Sequence, residues 1–150
     1  MKILLAVDGS DHSNAAVDAV AKRPWPEDSV VEIICAIGLP VVAIPEAWAM
    51  PNKFYMQQDW AASEQAKLVV KDARHRLKAG RTAELETITK TIVGRAPDVI
   101  LDEADKWGAD LIVLGSHGYR GLEHLLLGSV SQAVAKHAPC SVEIVRQRAA

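Results

Sequence analysis

The sequence has little of several features that mark common protein classes. Among its 150 residues only two are cysteine, Cys35 and Cys140, and neither belongs to a C-x2-C or cysteine–histidine cluster of the kind that binds metal ions. Basic and acidic residues number 17 and 19, the net charge is −2, and there is no basic block. Because nucleic acid is bound by clustered positive charge, we expect no nucleic-acid partner.

Long hydrophobic runs are also missing. The N-terminus has one charged residue, Lys2, and then only five apolar residues, fewer than a signal peptide or a membrane span requires. There is no internal repeat and no low-complexity tract. We therefore expect a cytoplasmic protein without membrane association, with both cysteines reduced, and with one domain over residues 1–150.

Along the chain, segments with a strand-like pattern alternate with segments that have helical spacing. Five apolar segments have the length and composition of strands: residues 2–7, 30–37, 84–93, 110–115 and 141–146. Four segments between them have helical spacing: residues 11–23, 54–79, 96–107 and 129–138. Such alternation predicts the α/β class, with one doubly wound, five-stranded parallel sheet. Residues 84–93 alternate in polarity, which is typical of an edge strand.

One stretch is distinguished by its glycines. Residues 115–129 read GSHGYRGLEHLLLGS, so Gly115, Gly118, Gly128 and Ser129 form the pattern G-x2-G-x9-G-S. Glycine reaches positive φ and lets backbone N–H groups approach an anion, and a helix beginning near Ser129 would add its own unpaired N–H groups. We predict a phosphate-binding loop. A tight turn is the alternative for the first two glycines, and Ser129 with Gln132 also fits a capping box.

Other motifs for nucleotides or catalysis are missing. The sequence has no G-x4-G-K-S/T, and it has no G-x-G-x-x-G because position 117 is histidine. A nucleophile elbow needs glycine two residues before its serine, and that position before Ser116 is Leu114. The five histidines form no metal-binding constellation. We predict no catalytic residue and no metal site made by the protein alone.

Two strand ends are expected to meet. Ligands of such sheets bind outside the carboxyl ends of strands, where the strand order reverses. With the order 3-2-1-4-5, the strand that ends at Asp8 and the strand that ends at Gly115 are neighbours at that point. Asp8 and the glycine loop would then flank one crevice, although a turn or capping role explains Asp8 equally well.

Four blocks together resemble the ATP-binding branch of the universal stress protein family: KILLAVDGSDHS, GADLIVLGSHGYRG, LLGSVSQAV and PCSVEIV. The resemblance covers the whole chain. It implies a Rossmann-like, adenine nucleotide alpha hydrolase-like fold, ATP as ligand with Mg2+ held through the phosphates, and a nucleotide-dependent signalling or protective role in the stress response. It also implies a homodimer through the last strand, Val142 to Val145, which as an apolar sheet edge would invite a partner strand.

The resemblance further implies a set of binding residues. Asp8 would lie against the ribose and base, Ala6 and Val7 would line the base pocket, Ala36 would offer its backbone to the adenine edge, and Leu114 would lie under the nucleotide.

The phosphates would lie on the other residues of this set: Gly115, Gly118, Gly128, Ser129 and Val130. Arg120 either pairs with a terminal phosphate or is solvated. The proline-containing loop from Gly38 to Asn52 would partly cover the ligand.

Two other functions are compatible with the sequence. One is a weak ATPase or adenylyl-transfer enzyme that uses Arg120 or His117, and the other is a nucleotide-free dimeric scaffold. The sequence does not identify a protein partner.

Overall fold

In the computed structural model, the described residues are 1–38, 52–80, 85–118 and 127–147, with only the backbone described for 52–59. The predicted loop from Gly38 to Asn52 lies almost wholly outside these ranges. The elements, in chain order, are β1 (Lys2–Ala6), α1 (Asp11–Lys22), β2 (Val30–Ile37), α2 (Asn52–Ala79), β3 (Glu86–Val93), α3 (Ala96–Trp107), β4 (Leu111–Gly115), α4 (Ser129–His137) and β5 (Ser141–Val145).

The five strands form one parallel sheet in the order β3-β2-β1-β4-β5. This confirms the predicted α/β class, the doubly wound sheet and the strand order. The predicted bounds differ from the observed ones by at most two residues, as at Asn52 and Glu86. Gly108 ends α3 with φ of 69°, as expected for a glycine in the left-handed region.

The central strands are buried on both sides because helices cover both faces of the sheet. In β1, Ile3, Leu4 and Leu5 are all 0% exposed. Ile3 and Leu5 pack in one core with residues of α1 and α2, whereas Leu4 packs in a second core with residues of α3 and α4. The runs without alternation therefore correspond to doubly covered strands, as predicted.

The outer strands are less covered. In β3 and β5 the residues are half-buried or exposed along their whole length. This agrees with the prediction that residues 84–93 form an edge strand. In the described ranges, none of the helices is both long enough and apolar enough to cross a membrane.

One charged residue lies in the second core. Glu32 of β2 is fully buried, and Lys90 Nζ of β3 lies 2.9 Å from its Oε2 and 2.7 Å from Glu103 Oε1 of α3. Burial raises the pKa of Glu32, with Lys90 opposing the rise, and the hydrogen bond from Lys90 lowers the pKa of Glu103. One ammonium group therefore serves two carboxyl groups, and Glu32 is the one that retains a proton more readily.

Candidate functional site

A cavity of about 600 Å³ opens at the carboxyl ends of β1 and β4. The chain leaves β1 toward α1 on one face of the sheet, while α4 covers the other face, so a crevice remains between the two strand ends. All the predicted binding residues that the structure describes line it: Ala6, Val7, Asp8, Ala36, Leu114, Gly115, Gly118, Gly128, Ser129 and Val130. Arg120 lies outside the described residues.

The cavity also has lining residues outside the predicted binding set. They are Ser13, Ile34, Ala96, Ile100, His117 and Ser131. Of these, His117 was considered only as a residue of the alternative enzyme. Ile34 shares its sheet face with Ala36, which the two-residue period of a strand could have indicated. Ile100 and Ala96 lie on α3, which packs against β2, and only the sheet order brings that helix to the cavity. Together with Ala6 and Leu114 they make one end of the cavity apolar.

The turn after β1 forms one wall. Ser10 N–H donates a 2.9 Å hydrogen bond to Asp8 Oδ1, and Gly9 has φ of 83°. Ser10 is the N-cap of α1, since its Oγ accepts a hydrogen bond from Ser13 N–H at 3.2 Å. Asp8 is thus a turn residue and a lining residue at once, with Oδ1 engaged by the turn.

The opposite wall is the glycine segment, and its glycines are needed for close packing. A Cβ on Gly115 would lie 2.6 Å from the carbonyl carbon of His12, one on Gly118 would lie 2.9 Å from Asp8 Oδ2, and one on Gly128 would lie 3.2 Å from His117 Cα. Among described residues, positive φ at glycine occurs at Gly9, Gly94 and Gly108. The expectation of positive φ was therefore wrong for Gly115, Gly118 and Gly128, whereas close backbone approach is what the structure shows at these glycines.

The start of α4 corrects a second expectation. The N-cap is Gly128, not Ser129, and Ser129 is the first helical residue. Gln132 Nε2 donates to the Leu127 carbonyl at 3.2 Å, so Ser129 and Gln132 form no capping box. The reason is a tertiary hydrogen bond, since Gly128 N–H donates to the Ser116 carbonyl at 2.8 Å and fixes where the helix begins.

The first turn of α4 faces the cavity. Gly128, Ser129, Val130 and Ser131 all line it, and the backbone N–H groups of the last three have no acceptor within the helix. Ser131 Oγ lies 2.9 Å from the carbonyl oxygens of both Ser116 and Gly128, which holds the turn together. N–H groups without an acceptor in the helix, together with the helix dipole, make this end of the cavity favourable for an anion.

Few titratable groups line the cavity. Among its described lining residues they are Asp8 and His117, and none of these residues is lysine or arginine. His117 Nδ1 lies 3.1 Å from Ser116 Oγ. Among the described residues there is no group of three or more histidine, cysteine, aspartate or glutamate side chains placed to hold a metal ion.

Comparison with known proteins places this architecture. A family model described as the universal stress protein family matches residues 1–146. The chain is 31% identical to universal stress protein YxiE of Bacillus subtilis over 97% of this chain and 98% of the relative. It is similar to the solved structure of universal stress protein UspA from Lactobacillus plantarum, with a TM-score of 0.78, 26% identity and 97% of each chain covered.

A further solved structure is described as a universal stress protein in complex with cAMP. It has a TM-score of 0.69 and 26% identity, and the match covers 97% of each chain. The family match over nearly the whole chain and the shared fold lead to one conclusion. This chain belongs to the universal stress protein family.

Proposed function

We propose that the cavity binds an adenine nucleotide, ATP with Mg2+, and that residues 1–150 form one cytoplasmic domain acting as a nucleotide-dependent module of the stress response. The observation that carries this proposal is the cavity itself, which joins an apolar end to a wall of closely packed glycines at a helix N-terminus. A family member in complex with cAMP supports the adenine nucleotide class.

The base would occupy the apolar end. Ala6 and Ala36 are small, so they leave room beside Ile34 and Ile100, and the backbone of Ala36 would meet the adenine edge. Asp8 stands between this end and the glycines and would accept hydrogen bonds from ribose hydroxyl groups. Its second carboxyl oxygen lies beside Gly118, on the cavity side of the turn.

The phosphates would occupy the glycine end. Backbone N–H groups of the first turn of α4 and the hydroxyl of Ser129 would donate to their oxygens. With charge-assisted bonds of about 1.5–3 kcal/mol each, reduced by the cost of association, we expect an affinity near micromolar. Carboxylate and phosphate oxygens are the ligands that Mg2+ prefers, so Asp8 could approach an ion that is held mainly by the phosphates and water.

We expect slow ATP hydrolysis at most. The titratable side chains among the described lining residues are Asp8 and His117, and Asp8 Oδ1 is engaged by Ser10 N–H. A general base must reach the attacking water, and a lining with so few titratable side chains offers little choice for that role. Steady release of ADP or AMP, abolished by changing Arg120 or His117, would favour the enzyme instead.

We also propose that the protein is a homodimer through β5. This strand lies at the sheet edge and is only half-buried, and an open edge of this kind pairs readily with a second strand. Proline at Ile144 is expected to give monomers in sedimentation analysis because it removes a backbone donor. Thr89→Pro at the opposite edge, on β3, is the control, and dimers that persist in the Ile144 variant would point to another interface.

The decisive experiment is a calorimetric titration of nucleotide-stripped protein with Mg-ATP. The test variant is Gly118→Val, whose Cβ would lie 2.9 Å from Asp8 Oδ2. The control is Ala79→Val, which adds the same side chain to an exposed alanine of α2 that does not line the cavity. We expect near-micromolar binding by the parent and the control and none by the test variant. Folded parent protein that binds no nucleotide would make the dimeric scaffold the better function.

A further inference from the structure

Two histidines meet at the glycine end of the cavity. His117 follows β4 and lines the cavity, and His12 lies in the first turn of α1. Their ring centroids are 5.2 Å apart, with the ring planes tilted by 50°. On the far side, a Cβ on Gly128 would lie 3.2 Å from His117 Cα. Packing from α1 and from the segment before α4 therefore fixes the position of His117 beside the first turn of α4.

The two rings differ in the hydrogen-bond partner of their Nδ1 atoms. His12 Nδ1 is buried and has no hydrogen-bond partner in the described part of the chain. His117 Nδ1 lies 3.1 Å from Ser116 Oγ, whose hydroxyl can either donate to the neutral ring or accept from the charged one. Two charged rings at this separation would repel each other.

The charged groups around the pair come from several elements. Asp8 lies in the turn before α1, and Asp11 is next to His12. Arg76 of α2 is close enough to Asp11 for that carboxylate to contribute to raising the pKa of Arg76, which pairs chiefly with Asp18. Arg146 follows β5, whose Val145 carbonyl accepts the Ser116 N–H.

The first turn of α4 and the segment 127–128 bring no titratable side chain to the pair. Of the described side chains that line the cavity, His117 is thus the one that can become positively charged.

We propose that His117 is a proton-dependent ligand for a nucleotide phosphate. In its imidazolium form it would donate one N–H toward Ser116 Oγ and the other to a phosphate oxygen, taking the proton from solvent as the nucleotide binds. The inference rests on the proposed function, because it requires phosphate at this end of the cavity. Histidine suits the role because its charge changes between about pH 5 and 8. Nucleotide affinity is then coupled to pH.

The test is calorimetric titration with Mg-ATP at about pH 6 and about pH 8, in buffers of different ionisation enthalpy. We expect the parent to bind about tenfold more tightly at the lower pH than at the higher, with net proton uptake. His117→Gln keeps a hydrogen-bond donor without the charge. It is expected to lose that pH dependence and the associated uptake, apart from the change that the nucleotide itself contributes.

Three controls locate the proton and the phosphate. His75→Gln alters an exposed histidine of α2 that does not line the cavity, and it is expected to behave as the parent does. His12→Phe keeps a ring against His117 and is expected to retain the pH dependence. Adenosine, which lacks phosphate, is expected to bind the parent and His117→Gln equally.

Several results would overturn the inference. Binding of Mg-ATP by His117→Gln with the parent's pH dependence would do so while leaving nucleotide binding intact, and so would loss of that dependence in His12→Phe. Failure of folded parent protein to bind Mg-ATP at either pH would overturn both this inference and the proposed function. If His117→Gln does not fold, the inference is tested by nuclear magnetic resonance of the His117 ring in the parent protein. Mg-ATP must then shift the His117 ring signals toward the charged form.

Discussion

The two ends of the cavity are built in different ways. The glycine end consists of backbone from the segment after β4 and from the first turn of α4, and it packs so tightly that no Cβ fits at Gly115 without movement of α1. The apolar end consists of side chains such as Ile34 and Ile100, contributed by β2 and α3. The glycine end therefore depends on the absence of side chains, whereas the apolar end depends on their volume.

The largest effect on stability and binding is expected from Gly115→Val. The new Cβ would lie 2.6 Å from the carbonyl carbon and 2.7 Å from the carbonyl oxygen of His12, and backbone atoms cannot rotate away as a side chain does. We expect the free energy of unfolding in denaturant to fall by about 3 kcal/mol, at the upper end of overpacking effects. Mg-ATP binding is expected to be lost. A stable variant that binds normally would show that the glycine end tolerates side chains.

An intermediate effect is expected from Glu32→Gln, which changes the charge beneath the apolar end. Glu32 precedes Ile34 by two residues in β2, and Glu103 follows Ile100 by three in α3. Because the pKa of Glu32 is raised, its contribution to stability is complete below its ordinary pKa of 4.5 and is lost as the pH rises through the raised value. Removal of the carboxylate is expected to raise the free energy of unfolding near neutral pH, because the glutamine needs no proton to stay neutral.

The control for that prediction is Glu103→Gln. The pKa of Glu103 is lowered, so its contribution is present above its ordinary value of 4.5 and is lost as the pH falls through the lowered value. This variant is expected to be less stable than the parent near neutral pH. Denaturant unfolding across the pH range measures both variants. If the two shift stability in the same direction, the assignment of the proton to Glu32 is wrong.

The smallest effect is expected from Ile100→Val at the apolar end. Ile100 is 4% exposed, and loss of one methyl group from such a site typically lowers the free energy of unfolding by about 0.5–1.5 kcal/mol. We expect Mg-ATP affinity to change by less than about threefold, since one methyl group of a shared apolar surface is removed. A loss as large as that of Gly115→Val would remove the distinction between the two ends.

The same distinction explains what could be predicted from the sequence. A short sequence pattern with a fixed spacing indicates the glycine end. The segment around Gly115 was identified from that pattern and from its position after a buried strand. The apolar end was identified only in part. Ile100 and Ala96 have no local signal for a binding role, because they reach the cavity only through the crossover from β3 to β4.

Two features that local sequence patterns did not predict have a similar physical origin. Ser129 and Gln132 fit a local capping pattern, but the hydrogen bond from Gly128 N–H to Ser116 sets the helix start from outside the helix. The burial of Glu32 depends on Lys90 and Glu103, which come from two later elements. Contacts between distant segments decided both cases, and a single sequence does not display them.

The contact between Gly115 and the His12 carbonyl also constrains how the family can diverge. A side chain at position 115 requires the first turn of α1 to move away, and that turn begins at the N-cap next to Asp8. The two segments therefore have to change together, although about a hundred residues separate them in the chain. A relative that carries a larger residue at the position equivalent to Gly115 is expected to have rearranged both segments, and its cavity to have diverged to another ligand or to none.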